Sequence, residues 1–92
     1  MGDVRKDLAP KERVLGIDLG GETKAYPLDQ LINQPGALKD SVGGIPVEIE
    51  VSMEGEVVSI KDQEGKAVPH IFSYWFAWQA FHPETKVFKS PR

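Results

Sequence analysis

Aromatic residues in this chain are concentrated rather than spread. Among its 2 Trp, 2 Tyr and 4 Phe, all but Tyr26 and Phe88 fall between Phe72 and Phe81, and this block runs straight into His82-Pro83-Glu84-Thr85. Large rings dominate the energetics of a small core, so the fold has to be organised around this block. The spacing predicts a helix from Ser73, as N-cap, to about Phe81, with Pro83 ending it. At 100° per residue, Ser73, Ala77 and Ala80 form a narrow small-residue face, flanked by Phe76 on one side and by Tyr74 and Phe81 on the other. That face is expected to lie against a sheet, with Phe76 and Phe81 buried beside it. Trp75, Trp78 and His82 then point the other way, either covered by curling strands or left as a patch for a partner.

The rest of the chain reads as strands and turns. Leu15, Ile17 and Leu19 alternate over residues 14–19, and Gly20-Gly21 is a two-residue hairpin signal leading to a second strand over 23–26. Pro27 stops that strand and can begin a short helix through Ile32, which Asn33-Gln34-Pro35-Gly36 ends. A weaker strand over 37–42, a second hairpin signal at Gly43-Gly44 and a clear alternation of Ile45, Val47, Ile49 and Val51 follow. Glu54-Gly55 and Glu64-Gly65 bracket a strand over 56–62, residues 67–71 are extended, and residues 86–88 form a last short strand. Pro46 and Pro69 favour edge positions, because proline has no N–H for a ladder. Residues 1–12, charged and without periodicity, read as a disordered tail or linker, leaving 13–92 as a single domain.

Charge narrows the classes of function. The formal net charge is −3, which argues against a nucleic-acid or anionic-membrane binder relying on clustered Lys and Arg. The acids gather over residues 40–66 and read as the solvated outer face of a sheet, the alternative being a patch for a cationic partner. The chain has no cysteine, so disulfides, thiolate metal sites and cysteine nucleophiles are excluded. No apolar run reaches the ~20 residues of a membrane span. Compartment stays open between cytoplasmic, if the chain is complete, and exported or envelope-associated, if it is cut from a longer parent.

Few residues point to chemistry. Ser73, His70 or His82, and Asp40 or Asp62 supply the residue types of a hydrolase triad, but there is no Gly-x-Ser-x-Gly elbow and Ser73 is already assigned as a cap. His70 and His82 lack metal-ligand spacing, and His82 suits a helix C-terminus. Glu48 and Glu50 share an exposed strand face, where nothing separates their pKa values. No cofactor or metal is called for.

Three blocks carry a family resemblance: Gly21-Glu22-Thr23-Lys24-Ala25-Tyr26-Pro27-Leu28, Asp40-Ser41-Val42-Gly43-Gly44-Ile45-Pro46-Val47, and Trp75 through Thr85. In that order they resemble the uncharacterised prokaryotic family called domain of unknown function 3179, and they span most of residues 13–88. Many members of that family continue the second block with Cys-Pro-Leu-Cys-Gly. Here the stretch reads Val51-Ser52-Met53-Glu54-Gly55, and the long insertion before the aromatic block is absent, so the chain looks like a short version of the family. The resemblance implies no activity. Members often look exported, which hints at a larger parent protein.

The expectation is therefore an α+β domain: a small antiparallel, curved β-meander of five or six strands with one C-terminal aromatic helix. The leading function is a non-catalytic binding or interaction module, meeting a protein partner or neighbouring domain through the aromatic helix, with Tyr26, Trp75, Trp78 and His82 as candidate binding residues. The alternative is a small-ligand or metal-assisted enzyme domain using His70, His82 and Tyr26. A concave site joining a histidine to a perturbed carboxylate would favour the enzyme; an exposed apolar patch or sheet edge would favour the binding module.

Overall fold

Strands dominate the chain from residue 13 onward. A computed structural model describes residues 7–32, 36–54 and 56–89. The elements are β1 (Arg13–Leu19), β2 (Glu22–Pro27), α1 (Leu28–Ile32), β3 (Gly36–Val42), β4 (Ile45–Val51), β5 (Val57–Asp62), β6 (His70–Tyr74), α2 (Trp75–Phe81) and β7 (Lys86–Val87). The α+β character matches the expectation, but the single meander of five or six strands does not. Seven strands form two sheets, one ordered β6-β1-β2-β7 and the other β3-β4-β5. Hairpin signals report only neighbours in sequence. The antiparallel pairing of β1 with β6 and the parallel pairing of β2 with β7 join distant parts of the chain, and no local signal encodes them.

The two glycine pairs do form tight turns. Gly20 and Gly21 have φ of 62° and 79°, and Gly43 and Gly44 have φ of 59° and 76°, the conformation of a two-residue hairpin whose twist matches its strands. The turns also lie back to back. A Cβ on Gly43 would collide with the Leu19 carbonyl oxygen and come within 2.8 Å of the Gly20 oxygen. One turn thus abuts the other, and the hairpin ends of the two sheets meet there. At Glu64-Gly65, Gly65 has φ of 81°, and Asp62 Oδ1 accepts the N–H groups of Glu64 and Lys66. Residue 55 of the Glu54-Gly55 turn, and residues 33–35 of the segment expected to end α1, lie outside the described residues. Pro46 sits in the central strand β4 rather than at a sheet edge, but as its second residue, one before pairing with β5 begins at Val47.

Two apolar clusters hold the layers. Between the sheets, Leu15, Ile17, Tyr26, Val42, Val47, Ile49 and Ile60 are buried with Leu31 and Phe88. On the opposite face of the first sheet, Val14 and Ala25 meet Trp75 and Trp78 of α2. β1 is therefore covered on both faces, which is why Val14, Leu15, Gly16 and Ile17 are buried in succession.

The orientation of α2 reverses the expectation. Trp75, Trp78 and Gln79 are buried, whereas Phe76 is 43% and Phe81 82% exposed. Residues 75, 78, 79 and 82 share one helical face by their spacing, and that face meets the sheet. The room comes from the strand: a Cβ on Gly16 would collide with the Trp78 ring. A glycine beneath the indole, rather than alanines on the helix, supplies the close approach. Trp78 Nε1 donates to Thr85 Oγ1 at 2.8 Å, satisfying the buried indole from the turn after the helix.

Ser73 is not the cap. It belongs to β6, and its Oγ donates to the Tyr74 carbonyl. The helix begins after Tyr74, which makes no side-chain capping bond. Instead, Trp75 N–H donates to the Glu12 carbonyl at 2.7 Å and Phe76 N–H to the Pro10 carbonyl at 2.9 Å. Leu8 packs beside the Trp cluster. Residues 1–6 of the expected tail lie outside the described residues, but its second half is engaged as a backbone clasp on the start of α2.

Candidate interaction surface

β6 ends its sheet. Among the described residues no strand pairs with its outer edge. Its register with β1 sets its side chains: Phe72 lies opposite Leu15 and His70 opposite Ile17, while Ile71 lies opposite Gly16 and Ser73 opposite Val14. Directly opposed residues share a sheet face, so Ile71 and Ser73 project to the α2 side and Phe72 to the other. Because the strand is at the margin, both sides reach solvent. Ile71 is 56%, Phe72 47% and Tyr74 49% exposed. Phe76 and Phe81 of α2 extend this exposed apolar surface: Tyr74 stacks on Phe76, and Ile71 shares a groove with Phe81, while Phe72 lies on the other face of the strand beside Arg13. The four rings alone expose on the order of 400–500 Å², within the range of the largest patch on an ordinary monomer, which is often functional.

The face is shaped. Between β6 and α2 runs a groove of about 410 Å³ lined by Ile71, Ser73, Ala77, Trp78, Phe81 and His82. A neighbouring depression of about 260 Å³ continues past Gly16 and Asp18 to Pro69 and His70. Tyr74 and Phe76 stack with centroids 6.0 Å apart, His70 meets Phe72 edge-on at 5.7 Å, and His82 lies over Trp78 at 4.1 Å. Residues 67–83 contain no Asp, Glu, Lys or Arg. A neutral, apolar strand edge is the feature that soluble proteins usually blunt with charge.

The candidate binding residues divide. His82 is half-buried and lines the groove. Trp75 is fully buried and Trp78 only 5% exposed, so the surface falls to Ile71, Phe72, Tyr74, Phe76 and Phe81 instead. Tyr26 is fully buried between the sheets, stacked on Phe88 at 5.2 Å. Its hydroxyl donates to Asp40 Oδ2 at 2.7 Å, and Lys24 Nζ donates to the same oxygen at 2.6 Å. Burial, with the Asp40 carboxylate beside it, pushes the Tyr26 hydroxyl above the usual phenol range. Burial also works against ionised Asp40, but the bonds from Lys24, Tyr26 and the Ser41 backbone outweigh it and hold the carboxyl below its usual range. This cluster joins β2 to β3 and locks the sheets together.

The enzyme residues do not converge. Tyr26 lies on the inter-sheet face, opposite the face that carries Trp78 and His82. His70 and His82 do line one depression with Asp18, but among the described residues no group of three or more His, Cys, Asp or Glu is placed to hold a metal ion. Ser73 and Asp40 are bonded elsewhere, to Tyr74 and to Lys24 with Tyr26. Among the described residues, no helix is long and apolar enough to cross a membrane.

No protein-family model matches the chain, and no curated protein or solved structure gives a significant match. The family resemblance thus rests on the three sequence blocks. In the structure these blocks are mainly packing elements: Lys24 and Tyr26 of the first bond Asp40 of the second, and Trp78 and Thr85 bond within the third.

Proposed function

We propose that this domain is a non-catalytic interaction module whose working surface is the outer edge of β6 with the exposed side of α2. One observation carries the reading: three large apolar side chains of β6, whose outer edge is unpaired among the described residues, and two of the adjoining α2 lie exposed within a stretch free of charged residues. Such an edge offers backbone N–H and C=O groups to an added strand, while the groove takes alternate side chains. The net charge of −3 and the absence of Lys or Arg from residues 67–83 speak against nucleic acid as the partner. The resemblance to an uncharacterised, often exported family supports a role beside other domains of a larger protein.

The test is selection of binding peptides from an unbiased display library on the immobilised domain. Binders are expected to be extended and apolar, and to lose binding to Phe81→Glu, a substitution at an 82% exposed position whose unfolding midpoint is expected to match that of the parent. Binders unaffected by Phe81→Glu and by Ile71→Lys would place the working surface elsewhere.

A further inference from the structure

We infer that the occupant of this face is a second copy of the same chain, the two β6 strands pairing antiparallel about a two-fold axis at Phe72. This rests on the reading of β6 and α2 as the interaction surface and adds the identity of the partner.

Charge permits a self-partner. Residues 67–83 carry no Asp, Glu, Lys or Arg, so the two β6 strands bring no like charge of their own to the centre, and Arg13 is the charged side chain that lines the depression beside Phe72 and Tyr74. The margins do not oppose the antiparallel sense, charges ~14 Å apart being largely screened. Arg13 of β1 lies opposite Tyr74, and Asp18 lies one residue beyond Ile17, the partner of His70. A two-fold axis at Phe72 sets His70 of one copy against Tyr74 of the other. Arg13 of each copy then lies at the same end as Asp18 of its mate, about three strand spacings away (~14 Å). Parallel pairing would instead bring like charges to the same end.

Shape agrees with charge. Phe81, 82% exposed, projects beside the groove that it helps to line with Ile71, Ala77 and His82. A projection next to a groove is the self-complementary arrangement that an isologous interface requires, since each copy presents both halves. The area is adequate as well. The exposed rings supply on the order of 400–500 Å² per copy. Ile71, the groove walls and the backbone edge bring this close to the ~800 Å² per partner of a stable interface. The product is one continuous sheet of eight strands, in order β7-β2-β1-β6-β6-β1-β2-β7, with the open edge at β6 removed.

Sedimentation equilibrium of the full chain over a wide concentration range tests this. The weight-average mass is expected to rise from 10.2 kDa toward twice that value. Phe72→Lys should weaken association by about tenfold or more, and Phe81→Glu should weaken it independently, with the near-ultraviolet circular dichroism of both variants unchanged. Amides of Ile71, Phe72 and Ser73 should gain exchange protection as concentration rises. A dimer that survives both substitutions overturns the inference, because its interface lies elsewhere. A monomer at every concentration also overturns it. In that case, library peptides whose binding is lost in Phe81→Glu would leave the interaction-module reading standing, whereas failure to select any such peptide would remove both.

Discussion

Replacing Gly16 by Ala tests the inverted packing of α2. The new Cβ would lie against Cζ3, Cε3 and Cη2 of Trp78, at 2.5 Å from the last two, where carbon atoms normally stand ~3.5–4.0 Å apart. The indole would have to withdraw by roughly 1 Å or more, yet it is held by its bond to Thr85 and by the His82 ring over it. Overpacking of this kind costs about 1–3 kcal/mol, and loss of the indole hydrogen bond adds about 1 kcal/mol. Removing glycine's freedom in the unfolded chain offsets ~0.4–1 kcal/mol. The net expectation is destabilisation of about 2–3 kcal/mol, or a fall in Tm of roughly 10–20 °C for a domain of this size. Urea unfolding followed by tryptophan emission measures it, with the midpoint shifted and the slope unchanged. In a double-mutant cycle, Trp78→Leu should relieve much of the Gly16→Ala penalty. If Gly16→Ala unfolds within about 0.5 kcal/mol of the parent with the same emission, Trp78 does not sit on Gly16 and the helix orientation is wrong.

Other outcomes follow from the same geometry. Gly43→Ala, which combines positive φ with a collision against Leu19 and Gly20, should cost clearly more than Gly44→Ala, which has positive φ but open space; urea midpoints rank them, and equal costs would contradict the back-to-back turns. Asp40→Ala should cost about 1.5–3 kcal/mol through its charged hydrogen bonds, read by thermal unfolding at neutral pH. Because the folded pKa of Asp40 is depressed, its contribution is full above the unfolded value near 4 and is lost as pH falls through the lower folded value; Asp40→Asn should flatten that acid limb. Tyr26 behaves with the opposite sign: its raised pKa gives stability present below about pH 10 and lost above it as the unfolded phenol ionises, and Tyr26→Phe should remove that alkaline loss. Deleting residues 1–12 should lower stability by about 1–2 kcal/mol, since the Pro10 and Glu12 carbonyls that receive the first N–H groups of α2 go with them; an unchanged urea midpoint would show the clasp to be idle.

Much of the local structure was legible in the sequence. Gly20-Gly21 and Gly43-Gly44 announced their turns because both turn positions demand positive φ, and the alternation of Val47, Ile49 and Val51 announced which face of β4 is buried. The tertiary partners were not legible. β1 accepts β6, and β2 accepts β7, through backbone groups that every residue possesses. The orientation of α2 is not encoded locally for a related reason. Ala77 and Ala80 mark where a close approach is permitted, but Gly16 offers the same permission on the strand, and nothing local says which is used. Phe72 and Phe81 carried the same apolar signal as Trp75 and Trp78, so composition did not separate the exposed half of the aromatic block from the buried half. Lys24 and Tyr26 stood two apart on one strand face, but their convergence on Asp40 depended on how the two sheets meet.

The exposed half of the aromatic block is proposed as a binding face, and the buried half is core. Amide chemical-shift mapping of the dilute domain, titrated with a peptide selected from the display library, tests it most directly. The largest shifts are expected at residues 70–74 and 76–82, with the indole N–H signals of Trp75 and Trp78 remaining those of buried, structured groups. Shifts centred on β3 to β5 or on the Lys24, Tyr26 and Asp40 cluster, with residues 70–74 unmoved, would contradict it.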